Sequence, residues 1–233
     1  MPAEPAENEL LDGPMEGLTN EQRRIFLAGD EAFAHVFTPA TGLGPIFVSN
    51  SCFSCHVGDG RGHPFTALTR FGKETGSQFD HMLEEGGPQL QHRAIPGHSA
   101  EAIPGDATVI SKLLPPPVSG LGFLAAVHDS TILALADPDD LDGDGISGTV
   151  NYISPPEYFQ PKEIHIPNGG KYIGRFGRKA GAINLLQQTV SAYKQDIGIT
   201  TDFDMEDPVN FTVSSDFTDA VADPELPAAE VHN

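Results

Sequence analysis

Ser51-Cys52-Phe53-Ser54-Cys55-His56 sets two thiols three positions apart with an imidazole directly after the second, and these are the only two cysteines among the 233 residues. The order Cys-x-x-Cys-His is the attachment signature of a c-type haem. The chemistry accounts for the spacing. Two thiols add across the porphyrin vinyl groups as thioethers, and two intervening residues let the chain reach both. The adjacent imidazole of His56 then becomes a ligand of the iron. Other readings of the same residues are weaker. A structural zinc site needs four ligands and usually two cysteine pairs; a thioredoxin-like dithiol expects a βαβ context that is missing here; a Cys52 to Cys55 disulfide leaves His56 unexplained.

Upstream of the motif, Thr19 and Gln22 form a capping box, and Ile25, Phe26, Gly29, Phe33, Val36 and Phe37 recur at helical spacing. A helix is expected from Glu21 to Phe37, ended by Thr38-Pro39. Gly29 and Phe33 stand four apart, where c-type cytochromes place a glycine and an aromatic so that helices cross closely. Downstream, Phe65 to Pro117 is punctuated by Gly86-Gly87-Pro88, Pro96-Gly97, Pro104-Gly105 and Pro115-Pro116-Pro117, and it reads as one long ordered loop of the kind that wraps a functional site. A short helix is expected from Ser130 to Ala136, capped by Asp129 or Ser130. Another is expected from Ile183 to Asp196, where Ile183, Leu186, Val190, Tyr193 and Ile197 repeat every three or four positions. The expected fold is therefore mainly α, a cytochrome c-like haem domain with long irregular loops and few short strands. Its divisions are an acidic N-terminal arm over 1–18, the haem domain over 19–202, and an acidic C-terminal extension over 203–233 that begins a missing or separate second domain.

Thirteen basic against thirty-three acidic side chains give a net charge of -20, which argues against nucleic acid and against anionic membrane surfaces as partners. No apolar run approaches the roughly 20 residues that a membrane-spanning helix needs. The start, from Met1 to Asn8, lacks the basic and then apolar pattern of a secretory signal. Haem attachment belongs to export-side machinery, so a periplasmic or extracellular location is expected with the signal absent from this chain.

Several stretches, in order, resemble the di-haem oxidoreductase family, relatives of bacterial di-haem cytochrome c peroxidases. They are Gly42 to Phe47, Asn50 to Gly62, Gln89 to Gly97, Leu133 to Gly148, Gly174-Arg-Phe-Gly177 and Asp196-Ile-Gly-Ile-Thr200, so the resemblance covers most of Leu18 to Asn233. It implies a peroxidase-like oxidoreductase in which the N-terminal haem is the reactive one. It also implies a second domain with its own Cys-x-x-Cys-His, which this sequence lacks; the second haem belongs to another polypeptide, or the chain is a fragment, or it works with one haem. On the distal side the relatives carry a glutamine and a glutamate with a proline between them, an order that Gln91, Pro96 and Glu101 offer here. Glu101 would shuttle a proton between the oxygens of peroxide and Gln91 would hold them by hydrogen bonds.

A second protein ligand on the iron would instead make the site a pure electron carrier. Met82, His81 and His92, together with His63 and His98, lie in the loop beyond the motif and are the candidates for that sixth position. Arg61 suits a haem propionate. Asp140, Asp142 and Asp144, followed by Gly145, have the Asp-x-Asp-x-Asp-Gly spacing of a calcium loop, although position twelve is Asn151 instead of a bidentate glutamate. Two functions are expected to compete: a peroxidase-like enzyme fed by a redox partner or a second haem-bearing domain, and a non-catalytic mono-haem electron-transfer protein with a six-coordinate iron.

Overall fold

The computed structural model describes residues 13–213, 218, 219 and 221–232, without the side chain of Asp59. The N-terminal arm expected over 1–18 thus lies outside the described residues as far as residue 12. The chain divides into two compact units, one of residues 1–119 with 190–233 and one of residues 120–189.

In the first unit α1 spans Asn20–Ala34, and its start follows from the sequence. Thr19 Oγ1 accepts the Gln22 amide at 3.2 Å, while Gln22 Oε1 accepts the Thr19 amide at 2.9 Å. These reciprocal bonds satisfy two donors that a helix start leaves free. The helix stops at Ala34, short of the expected Phe37. Phe37 instead donates its amide to the Asn50 carbonyl at 2.8 Å and buries its ring edge-on to Tyr193.

The mainly α, cytochrome c-like architecture is not what the chain adopts, for 26 % of the structure is helical and 16 % is strand, with several sheets. The segment expected to be loop contains a three-stranded antiparallel sheet. Its central strand β2, Leu68–Thr75, pairs with β3, Gln78–Asp80, and with β5, Val109–Leu113. Between them β4, Arg93–Ala94, pairs with β1, Ile46–Phe47. Glycine and proline punctuation concealed these strands. Gly72, in the middle of β2, reads as a breaker, yet a Cβ there would stand 2.5 Å from the Phe79 ring of β3; the strand needs a glycine for close approach.

α4, Leu185–Ala192, continues into a π-helical turn, Tyr193–Ile197. The turn's carbonyls, which no further helix would satisfy, receive the chain that precedes the cysteine motif. Gly44 donates to Ile197 O at 3.2 Å, and Val48 and Ser49 donate to Asp196 O at 2.8 and 2.9 Å. Ile46, Ile197 and Ile199 are fully buried around this crossing. The C-terminal segment packs into the same unit: Leu226 donates to Thr200 O, Asn210 Nδ2 donates to Ser99 O, and a single turn α5, Ala228–Val231, buries Val231. Among the described residues no helix is long and apolar enough to cross a membrane.

The second unit holds α2, Leu121–Ala126, α3, Asp129–Ala134, and the antiparallel pair β6, Tyr152–Ile153, with β7, Tyr172–Ile173. α3 is capped by His128, whose Nδ1 accepts the Ser130 amide at 3.1 Å, and not by Asp129 or Ser130 as expected. Asp129 is buried because it is half of an ion pair with Arg175, both side chains at most 1 % exposed. Its other oxygen accepts the Ile166 amide at 2.6 Å, and the Arg175 guanidinium also reaches the carbonyls of Leu124 and Val127 at the end of α2. Replacing Asp129 by Ala leaves that guanidinium without its counter-charge and should cost about 3–5 kcal/mol in urea unfolding, the range for breaking a buried pair. A loss of less than about 1 kcal/mol, the scale of a surface pair, would show that the pair does not hold this unit.

Candidate functional site

Residues 51–56 form one tight turn. The amides of Cys55 and His56 both donate to the Cys52 carbonyl, at 3.1 and 3.0 Å, which closes the backbone of the motif on one acceptor. Ser51, buried at the start, accepts the Ser54 amide on its hydroxyl at 3.1 Å and bonds the Ser54 hydroxyl. The last turn of α1 supports the motif from outside. Phe53 donates to the Phe33 carbonyl at 3.2 Å, and the Phe33 ring lies 6.2 Å from the His56 ring, so the Gly29/Phe33 pair does face the motif through its aromatic member.

The thiols are free and half-buried. Burial, and then the negative charge of Asp196, pushes Cys52 up to about 12 and raises Cys55 as well. Such thiols stay protonated at neutral pH, which is unlike a reactive dithiol, whose cysteines are held below their ordinary value. Among the described residues the groups of three or more acidic, histidine or cysteine side chains close enough to share a cation do not include the motif, so its surroundings lack a zinc-ligand set. His56 Nδ1 is buried and has no hydrogen-bond partner. Two free thiols on one turn with a half-buried imidazole whose Nδ1 has no partner are a residue set that would fit a covalent haem.

A cavity of about 280 Å³ lies in the same unit, lined among others by Gln89, Gln91, Glu101, Lys194, Gln195 and Phe211. The structure brings Gln91 and Glu101 together: the Gln91 amide donates to Glu101 Oε2 at 2.8 Å, and the Glu101 amide donates to Gln91 O at 3.0 Å. Burial pushes the Glu101 carboxyl up to about 7, only partly offset by the Gln91 amide. Its Oε1 presses on Gly86, where a Cβ would come within 2.5 Å and the backbone has φ +87°. Cys52, Cys55 and His56 are not in the cavity lining.

The other expected residues scatter. Met82 is buried in the core at 3 % exposure, whereas His81, His92, His63 and Arg61 are exposed. Carboxylate oxygens of Asp137, Asp140 and Asp142 come within 4.8 Å of one another, while Asp144 turns to accept the Ile146 amide at 2.7 Å. The sequence analysis missed Asp137, which lies outside the Asp-x-Asp spacing, and also Gln89, two positions before Gln91 and therefore on the same face of an extended segment.

Compared with known proteins, residues 106–218 match the family described as "Di-haem oxidoreductase, putative peroxidase". The resemblance to the di-haem oxidoreductases is thereby supported over just under half of the chain. The matched residues begin after the cysteine motif. Neither curated proteins nor solved structures gave a match.

Half-buried carboxyls make stability depend on pH. Besides Glu101, Asp207 is pushed up to about 7 by burial and then by the charges of Asp223 and Asp219. Each carboxyl's folded pKa exceeds its unfolded value, so its contribution is complete below about pH 4 and is lost as pH rises through about 7. His165, half-buried and lowered chiefly by burial, acts in the opposite direction as pH falls below its ordinary value of 6.5. The melting temperature should therefore fall between pH 5 and 7.5, and Glu101→Gln and Asp207→Asn should each flatten that fall. An unchanged slope in both variants would contradict these environments.

Proposed function

We propose that the chain is the c-type haem domain of a peroxidase-like di-haem oxidoreductase, binding one covalent haem and transferring electrons, with peroxide as the oxidant. The observation that carries this reading is the Cys52–His56 turn itself, two free thiols and an imidazole wound around one carbonyl. Cys52 and Cys55 would hold the porphyrin by thioethers and His56 would ligate its iron. When bound, the haem supplies a one-electron redox centre whose potential and reactivity are set by its axial ligands.

The chain's own residues supply the proton handling. Glu101, with a carboxyl near pH 7, can hold a proton at neutral pH and give it up again without a large energetic cost, as a general acid and base must. The Gln91 amide fixes which oxygen is free, since Oε2 is occupied by that hydrogen bond. Lys194, paired with Asp204 at 2.6 Å, lines the same cavity and leaves Glu101 without a cation of its own there. Electrons would come from a redox partner protein or from a second haem-bearing domain or subunit. The compartment in this reading is the periplasm or the cell exterior.

One observation favours the second reading, a mono-haem electron carrier: the cavity holding Gln91 and Glu101 does not include the motif residues in its lining. Spectra of the ferric holoprotein separate the two. A high-spin iron that binds cyanide supports the enzyme; a low-spin iron that ignores cyanide and peroxide supports the carrier, with Met82, His81 or His92 as sixth ligand. In the enzyme reading Glu101→Gln should slow peroxide turnover by about 10²–10⁴-fold, the usual contribution of general acid-base catalysis, with haem content unchanged. Turnover at the parent rate would remove Glu101 from the mechanism.

The calcium expectation carries over to the loop holding Asp140 and Asp142, with Asp137 beside them in place of Asp144. Titration with calcium should raise the melting temperature, as any ligand specific for the folded state does. No shift at millimolar calcium would reject a stabilising site.

A further inference from the structure

A carboxylate and an aromatic ring meet at Gly86 in the cavity of the first unit. A Cβ built on Gly86 would stand 2.5 Å from Glu101 Oε1 and 3.6 Å from Phe211 Cδ2, and all three residues line the cavity of about 280 Å³. Glycine leaves that space open. The two groups come from distant parts of the chain and are tied together. Glu101 is held by its reciprocal hydrogen bonds with Gln91, which use Oε2 and not Oε1. Phe211 follows Asn210, a fully buried residue whose Nδ2 donates to Ser99 O at 2.7 Å, two positions before Glu101.

Charge in the cavity is unbalanced at Glu101. The other charged residues of the lining are Lys194 and Asp204, and these pair with each other at 2.6 Å. Glu84, Glu85 and Asp207, on the segments that carry Gly86 and Phe211, are not in the lining. Gln89 and Gln91 each direct Nε2 to the Gln195 carbonyl at 3.0 Å, so those donors are engaged elsewhere than at Glu101. Burial pushes the Glu101 carboxyl up to about 7, and the Gln91 amide is the group that opposes the rise. Leu83, Val209 and Phe211, 66, 46 and 54 % exposed, give the same cavity an apolar edge open to solvent.

These features select among ligands. An anion would meet two carboxylates and an ammonium already paired, and a bare calcium ion wants six to eight oxygens. An organic ammonium ion finds each part of what it needs: a carboxylate for its charge, an aromatic ring that attracts cations, and an apolar edge for its alkyl or aryl part. We propose that this cavity binds a small organic ammonium ion, with Glu101 Oε1 as its counter-charge and the Phe211 ring as its second contact. The site goes beyond the haem reading and does not rest on it, since Cys52, Cys55 and His56 are not in the lining. A bound cation favours ionised Glu101, so affinity rises as pH climbs through about 7.

The test is calorimetric titration of the full chain, as purified, with benzyltrimethylammonium, whose charge is independent of pH and whose nitrogen has no lone pair to offer an iron. Binding in the millimolar range or tighter is expected. It should be about tenfold tighter at pH 8 than at pH 6, the change in ionised fraction of a group titrating at about 7. Glu101→Gln should weaken binding by about tenfold or more and remove the pH dependence. Phe211→Leu, at a half-exposed position, should weaken it about threefold at both pH values. Benzyl alcohol, a neutral counterpart, should bind about tenfold more weakly than the cation. Affinity unchanged in either variant overturns the proposal, because attraction to a surface of net charge -20 would then suffice. No binding at about 10 mM probe, or equal affinity for benzyl alcohol, overturns it too. If Glu101→Gln does not fold, Phe211→Leu and benzyl alcohol decide by the same outcomes. The intact mass of the same preparation tests the haem separately, so either reading can fail while the other stands.

Discussion

The Asp196 carbonyl accepts two amides at once, from Val48 and Ser49, and the position of the cysteine turn depends on that clamp. A π-helical turn has wider hydrogen-bond loops than an α-helix and leaves carbonyls pointing off its end. Here they are met by an extended strand of chain in place of water. The strand runs directly into Asn50 and Ser51, so the turn that carries Cys52, Cys55 and His56 is rooted in the most buried part of its unit, beside Ile46, Ile197 and Ile199. From the opposite side α1 contributes a single carbonyl, that of Phe33. A site held at both ends by backbone bonds keeps its geometry when side chains around it change.

The tight turn of the candidate site was legible in the sequence, because it is local. Six consecutive residues specify the thiols, the imidazole and the turn, and the capping box at Thr19 and Gln22 announces the helix that supports them. Gln91 and Glu101 were placed by resemblance, ten positions apart in what reads as loop, and they meet through two hydrogen bonds. The sheet was not legible. β2 contains Gly72 and faces the hairpin partner Phe79 across it, so its apolar residues do not alternate cleanly, and its pairing with β5 depends on contacts some forty residues apart. Periodicity cannot reveal that kind of pairing. For the same reason Asp196 looked like the last polar residue of a helix, and only the fold shows that its carboxyl meets Gln89 and its carbonyl meets Val48 and Ser49.

Electrostatics give the molecule its character. The net charge is -20, and a surface so acidic repels further anions, yet the carboxyls nearest the functional residues are withdrawn from water. Burial raises Glu101 to about 7 and raises both thiols as well. Asp129 and Arg175 form a buried pair in the other unit that also bonds backbone groups, while Arg175 Nε is left without a partner.

The claim that orders all of this is that one porphyrin is joined to Cys52 and Cys55. The most direct measurement is the intact mass of the denatured protein after expression with a haem-attachment system, alongside a variant with both cysteines replaced by serine. The account predicts a parent mass exceeding that of the polypeptide by one haem, with the pigment resisting extraction into acidified organic solvent, and a variant that has lost it. A parent mass equal to that of its amino acids alone, or pigment that extracts freely, would contradict it.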